Sequence, residues 1–136
     1  MTQIRNARIR PEDENPFPHK EITEAIIGSA FEVYNQLGYG FLHRVYQRAL
    51  QVELVRRGFR SDLEQRTTVR YKDVVVGEYD GDVIVNDAVL IEIKIAPQYD
   101  KRDEAQLLNV LKATGLKVGI LLNFGRYKVE YKRLIF

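Results

Sequence analysis

Cysteine is absent from this 136-residue chain. That excludes a disulfide framework, thiol catalysis and any cysteine-ligated zinc or iron–sulfur site. Histidine is nearly absent, with only His19 and His43. A metal held here would therefore take mainly oxygen ligands, which favours magnesium, manganese or calcium. Long apolar runs are missing too, and none approaches the roughly 20 residues needed to cross a bilayer. The opening stretch, MTQIRNARIRPEDENPFP, has basic residues but no apolar core and no small-residue cleavage pattern. It does not read as a signal peptide, so the expected compartment is the cytoplasm and no membrane partner is expected.

Charge of one sign is not in excess, since the net charge is +2. Its distribution is uneven: residues 100–136 carry 8 basic and 4 acidic groups. A weakly basic C-terminal third suits a polyanion partner, and equally a solvated face. Hydrophobic residues at 45% and charged residues at 29% give ordinary globular composition. A chain of this length is expected to form one domain, residues 19–136, behind a flexible N-terminal arm, residues 1–18. The arm holds three of the four prolines and the acidic run Glu12-Asp13-Glu14.

Periodicity sets out the elements. Ile22, Ile26, Ala30, Val33 and Leu37 recur at spacings of three and four, which predicts a helix over 20–37 ended by Gly38 and Gly40. Leu42, Val45, Tyr46, Ala49 and Val52 or Glu53 predict a second helix over 41–57, with Gly58 past its end. Residues 64–95 are rich in Val, Ile, Thr and Tyr, with turn signals at Lys72-Asp73 and Asn86-Asp87. They read as three antiparallel strands, with Gly77 and Gly81 bending the middle one. Residues 102–114 read as a third helix started by Asp100 or Asp103. Two last strands are predicted at 117–123 and 127–135, turning at Asn123-Phe124-Gly125. The order ααβββαββ implies an α+β domain, a central mixed β-sheet flanked by helices.

The informative residues are Asp82, Glu92 and Lys94. Glu92 and Lys94 are two apart on one strand and share a face, inside an apolar run of Leu90, Ile91, Ile93 and Ile95. Charges in such a setting need partners. Asp82 joins them only in one register. A two-residue turn pairs Asp82 with Ile91, whereas a three-residue loop at 86–88, or a bulge, pairs it with Glu92. If they converge, two repelling carboxylates are best reconciled by a divalent cation, Mg²⁺ or Mn²⁺, held by Asp82, Glu92 and the carbonyl of Ile93. Lys94 would then position or deprotonate a water, or stabilise charge on a phosphate. The alternative on spacing alone is a salt-bridged strand surface. Tyr34, Tyr46, Tyr71, Tyr79, Tyr127 and Tyr131 are candidates for base stacking, or for packing. Lys101, Arg102, Lys112, Arg126, Lys128, Lys132 and Arg133 are candidates for phosphate contacts, or a soluble surface.

Three stretches, IIGSAFEVYNQLGYGFLHRVYQRAL, DVIVNDAVLIEIK and DEAQLLNVLKATGLKVGILLNFG, resemble the PD-(D/E)XK nuclease superfamily. They are most similar to its GxxExxY group, across residues from about 20 to 135. The resemblance implies a restriction-endonuclease-like core and a metal-dependent nuclease acting on nucleic acid, DNA above all. It implies that Asp82 and Glu92 are the metal-binding acids, Lys94 the catalytic lysine, and Gln106 a residue pointing into the same site. The group's namesake motif would place a glutamate where this chain has His43. Glu32 and Glu53 are alternative acids, and Val110 stands where many such nucleases carry a tyrosine. These departures keep a second reading open, a catalytically weakened or inactive module that binds nucleic acid or a protein partner. A homodimer is compatible with either.

Overall fold

The computed structural model describes residues 17–136. Most of the expected N-terminal arm therefore lies outside the described residues. Helix α1 spans Lys20–Leu37 and α2 spans His43–Arg56. Strands β1 (Ser61–Tyr71), β2 (Val74–Val85) and β3 (Val89–Lys94) follow, then α3 (Asp103–Thr114), β4 (Val118–Phe124) and β5 (Val129–Ile135). The strands form one sheet in the order β1-β2-β3-β4-β5, antiparallel except for the parallel β3–β4 pair that α3 bridges. This is the α+β arrangement, a central mixed sheet flanked by helices, that the element order implied.

Alternation along the central strands divides the core in two. Val83, Val85, Val89, Ile91, Ile93, Ile120 and Leu122 point to α1 and α2, meeting Ile26, Ala30, Tyr46, Leu50 and Leu54. Ile84, Leu90 and Leu121 point the other way, onto Leu107, Val110 and Leu111 of α3. β3 and β4 are covered on both faces, so they read as near-continuous apolar runs. The apolar stripe of α1 falls where the spacing placed it. That of α2 does so only in part: Tyr46 is buried and Ala49 packs on the core as expected, but Leu50 and Leu54 join them while Leu42, Val45 and Val52 are exposed. Apolar residues extend around α2 on both sides of Tyr46, and the packing against α1 and the sheet selects the side of Leu50 and Leu54.

Two differences concern turns. Asn123 and Phe124 belong to β4, and the turn to β5 begins at Gly125. Asp103 lies inside α3 rather than capping it. Asp100 does the work near that end, accepting the Arg102 amide at 2.9 Å.

The register that matters is set at the β2–β3 connection. Asn86 and Asp87 both take left-handed φ, 52° and 53°, and the Ala88 amide bonds the Val85 carbonyl. Ala88 is the extra residue. The ladder runs Val85↔Val89, Ile84↔Leu90, Val83↔Ile91, so a three-residue loop closes the hairpin, in the register whose continuation leads from Asp82 to Glu92.

Candidate active site at the end of the β2–β3 ladder

The paired residues of β2 and β3 stop at Val83↔Ile91, although β2 continues outward beside β1. Three local features accompany the split. A Cβ on Gly81 would lie 2.6 Å from Leu90 Cδ1, so any larger residue there would have to displace the Leu90 side chain. Across from Asp82, Glu64 of β1 takes a left-handed φ of 51°. Finally, Tyr79 and Ile84 both pack on the α3 side although five residues apart, so the alternation of β2 changes phase between them.

Asp82 sits at that change of phase and completes the ladder with its side chain. The Ile93 amide donates to Asp82 Oδ2 at 2.7 Å, in place of a β2 carbonyl. From α2, buried Gln47 donates Nε2–H to the Asp82 carbonyl at 2.8 Å, and His43 Nε2 lies 3.3 Å from Asp82 Oδ2. The Asp82 side chain is 14% exposed. Leu42, His43, Arg44, Gln47, Glu64, Asp80 and Asp82 line an open cleft of about 460 Å³ over this point.

Glu92 is half-buried, and its Oε2 is shielded from solvent with no hydrogen-bond partner. Burial pushes its carboxyl up to about 7, against the opposing charges of Lys94 and His43 and with reinforcement from Asp103. His43 is raised as well. Its bond to Asp82 is the main cause and outweighs burial, with help from the Asp82 charge, the Ile93 carbonyl and Glu92. The imidazole thus stands among the three groups that the sequence reading gave to a cation: Asp82, Glu92 and the Ile93 carbonyl. Lys94 lies on the Glu92 side of β3, close enough for its charge to act on that carboxyl, and has no ion-pair partner among the described residues.

Other expected members are elsewhere. Gln106 is exposed and faces a groove with Thr67, Val69, Gly77 and Tyr79; it makes no hydrogen bond among the described residues. The α3 residue whose charge reaches Glu92 is Asp103, one turn earlier. Only its position in the first turn of a helix that follows the strand signalled this, and that was read as a cap. Glu53 pairs with Arg57 at 2.8 Å and Glu32 accepts from Gln36, so neither replaces the motif glutamate. Val110 is a buried contact of α3.

The donors suit a hard divalent cation in kind, two carboxylates and a carbonyl with one shielded carboxylate oxygen left unpartnered. Among the described residues no group of three or more His, Asp or Glu side chains is disposed to hold a metal.

Known proteins resemble the chain as follows. The crystal structure of SSO0001 superposes with a TM-score of 0.56 at 18% identity, covering 85% of this chain and 58% of that one. The likeness is one of fold, and the chain spans little more than half of that protein's length. Among curated proteins none matches. No helix among the described residues is long and apolar enough to cross a membrane. Residues 20–134 match the PD-(D/E)XK nuclease superfamily, and the chain belongs to that superfamily.

Proposed function

We propose that the chain is a divalent-cation-dependent nuclease that hydrolyses nucleic-acid phosphodiester bonds, in DNA foremost, in the cytoplasm and within the GxxExxY group. One observation carries the reading: where the ladder ends, Asp82 bonds the Ile93 amide beside Glu92, and the shielded Glu92 oxygen is left without a partner. Mg²⁺ or Mn²⁺ would be held by Asp82, Glu92 and the Ile93 carbonyl, and would supply Lewis-acid polarisation of the phosphate and a more acidic water. Asp82 is held in place by the Ile93 amide and, through its backbone, by Gln47. Lys94 offers positive charge to the phosphate and positions the attacking water. His43 orients Asp82 from α2 in the place of the motif glutamate. Gln106 meets substrate that extends over α3, not the acids.

Lys94→Ala and Glu92→Gln should abolish Mn²⁺-dependent nicking of a plasmid while circular dichroism and melting stay native-like. Equal cleavage by wild type and both variants would assign the activity to a contaminant and sink the proposal.

One observation favours the second reading, a binding module without turnover. His43 already bonds Asp82 and faces the Ile93 carbonyl, so the groups proposed for the cation are partly satisfied by an imidazole. A Mn²⁺ titration of the melting temperature separates the readings. Binding to the native state alone raises it, by an amount that grows with concentration. No shift up to millimolar metal supports the module.

A further inference from the structure

Leu42 and Tyr127 are 80% and 85% exposed, more than any other large hydrophobic side chain among the described residues. Scattered exposed apolar side chains need no explanation. These two differ because of where they stand and how firmly they are held.

Leu42 ends the α1–α2 loop and lines the cleft over Asp82 together with His43. Tyr127 lies on the β4–β5 turn. That turn follows β4, whose Asn123 is the register partner of Lys94. In strand order the end of β3 therefore has the loop of Leu42 on its β2 side and the turn of Tyr127 on its β4 side, where Tyr127 and Lys128 line a separate cleft with Pro97, Tyr99 and Glu130. Both loops are fixed by one aromatic stack. Tyr46 and Phe124, fully buried, stack at 4.5 Å, with Phe41 edge-on to Tyr46 and Tyr34 stacked on Phe124. Tyr46 Oη donates to the Gly38 carbonyl and accepts from the Phe41 amide, bracing the first loop. Tyr34 Oη donates to the Gly125 carbonyl at 2.6 Å, bracing the second. A Cβ on Gly125 would lie 2.9 Å from the Lys128 carbonyl, so the turn admits only glycine there.

The charges differ between the two sides. Arg44, beside Leu42, is 3.9 Å from Glu64. Arg126 and Lys128, beside Tyr127, are exposed and have no ion-pair partner among the described residues. An aromatic plane between two free cations is the combination that takes a base and its flanking phosphates together. An apolar tip on a rigid loop is suited to separating neighbouring bases.

We propose that the Arg126-Tyr127-Lys128 turn and Leu42 seat unpaired nucleotides on either side of the scissile phosphate. Tyr127 is the stacking platform and Leu42 the wedge, and the substrate is single-stranded or locally unpaired nucleic acid. A continuous duplex keeps its base faces stacked inside, where Tyr127 cannot reach them. This inference rests on the nuclease reading above for the identity of the site.

The test is fluorescence anisotropy of the full chain in EDTA with short labelled oligonucleotides: single-stranded DNA, RNA of the same sequence, and the DNA duplex. Single strands should bind about tenfold or more tightly than duplex, and Tyr127→Ala should weaken single-strand binding by about tenfold. Tyr127→Phe, which keeps the ring, should bind like wild type. Leu42→Ser should weaken single-strand binding severalfold and leave the duplex unchanged. The DNA and RNA arms show which strand chemistry is preferred. Duplex bound as tightly as single strand, no effect of Tyr127→Ala, or no binding to any of the three overturns the proposal; the last outcome points to a protein partner. Both positions are exposed, so unchanged melting of the variants is expected and excludes misfolding as the cause. No cation is present, so the outcome is independent of whether Lys94→Ala abolishes cleavage.

Discussion

The two halves of β2 are held by different forces. From Val83 to Val85 the strand is paired on both edges and buried between two helical layers. From Val74 to Asp80 it is paired with β1 alone, and Val74, Val75 and Val76 are exposed. Apolar burial fixes the inner half, while backbone hydrogen bonds and surface ion pairs, such as Arg66 with Glu78 and Asp80, hold the outer half. Such exposed pairs contribute about 0–1 kcal/mol each. The candidate site lies at the join. Where regular pairing ends, the Ile93 amide is left for a side chain to satisfy, so a carboxylate can be set against the core without leaving a backbone group unpaired.

The comparison breaks most directly by truncation. Ile91→Ala on β3, the register partner of Val83 in the inner half, should lose about 3 kcal/mol in urea unfolding, through a cavity against α1 and α2. Val76→Ala should stay within about 0.5 kcal/mol. Equal losses would mean that the outer half is covered in solution.

Titrating the join comes second. The Glu92 carboxyl rises from 4.5 to about 7 on folding. The native state therefore holds this proton more tightly than the unfolded chain. Stability from this group is fully present below pH 4.5 and is lost as pH rises through about 7. Without divalent metal, that loss is on the order of 3 kcal/mol between acid and pH 8. Glu92→Gln should remove it and leave only the fall from His43, whose raised value acts in the same direction. A steeper pH dependence in the variant would contradict the burial of Glu92.

The smallest expected effect sharpens the boundary itself. Gly81→Ala drives a methyl into Leu90 and should cost about 1–2 kcal/mol. Combined with Leu90→Ala, the pair should lose less than the sum of the single changes. Simple additivity would show that Gly81 does not set the close approach of β2 to β3.

Much of this was legible in the sequence for local reasons. The 3.6-residue period of α1, the Gly38 and Gly58 stops, the Lys72-Asp73 turn and the strand-rich 64–95 region all depend on near neighbours. The α2 stripe was misplaced in part because apolar residues extend around that helix on both sides of Tyr46, and only its partners distinguish the two sides. Gln106 was assigned to the acids by resemblance, yet α3 carries it over a groove beside β1 and β2. Asp103 was missed because its effect on Glu92 depends on how α3 docks.

Residue chemistry by itself determined the menu: oxygen donors without thiols, an acid pair with a lysine, eight elements in their order. Those follow from composition and from periods that chain geometry enforces within a few residues. Tertiary structure decided the meeting. One extra loop residue, Ala88, sets the register that pairs Val83 with Ile91, and where β2 departs from β3 the Asp82 carboxylate meets the Ile93 amide and His43. Strand side chains alternate with period two, so a slip of one residue would have faced the same groups apart.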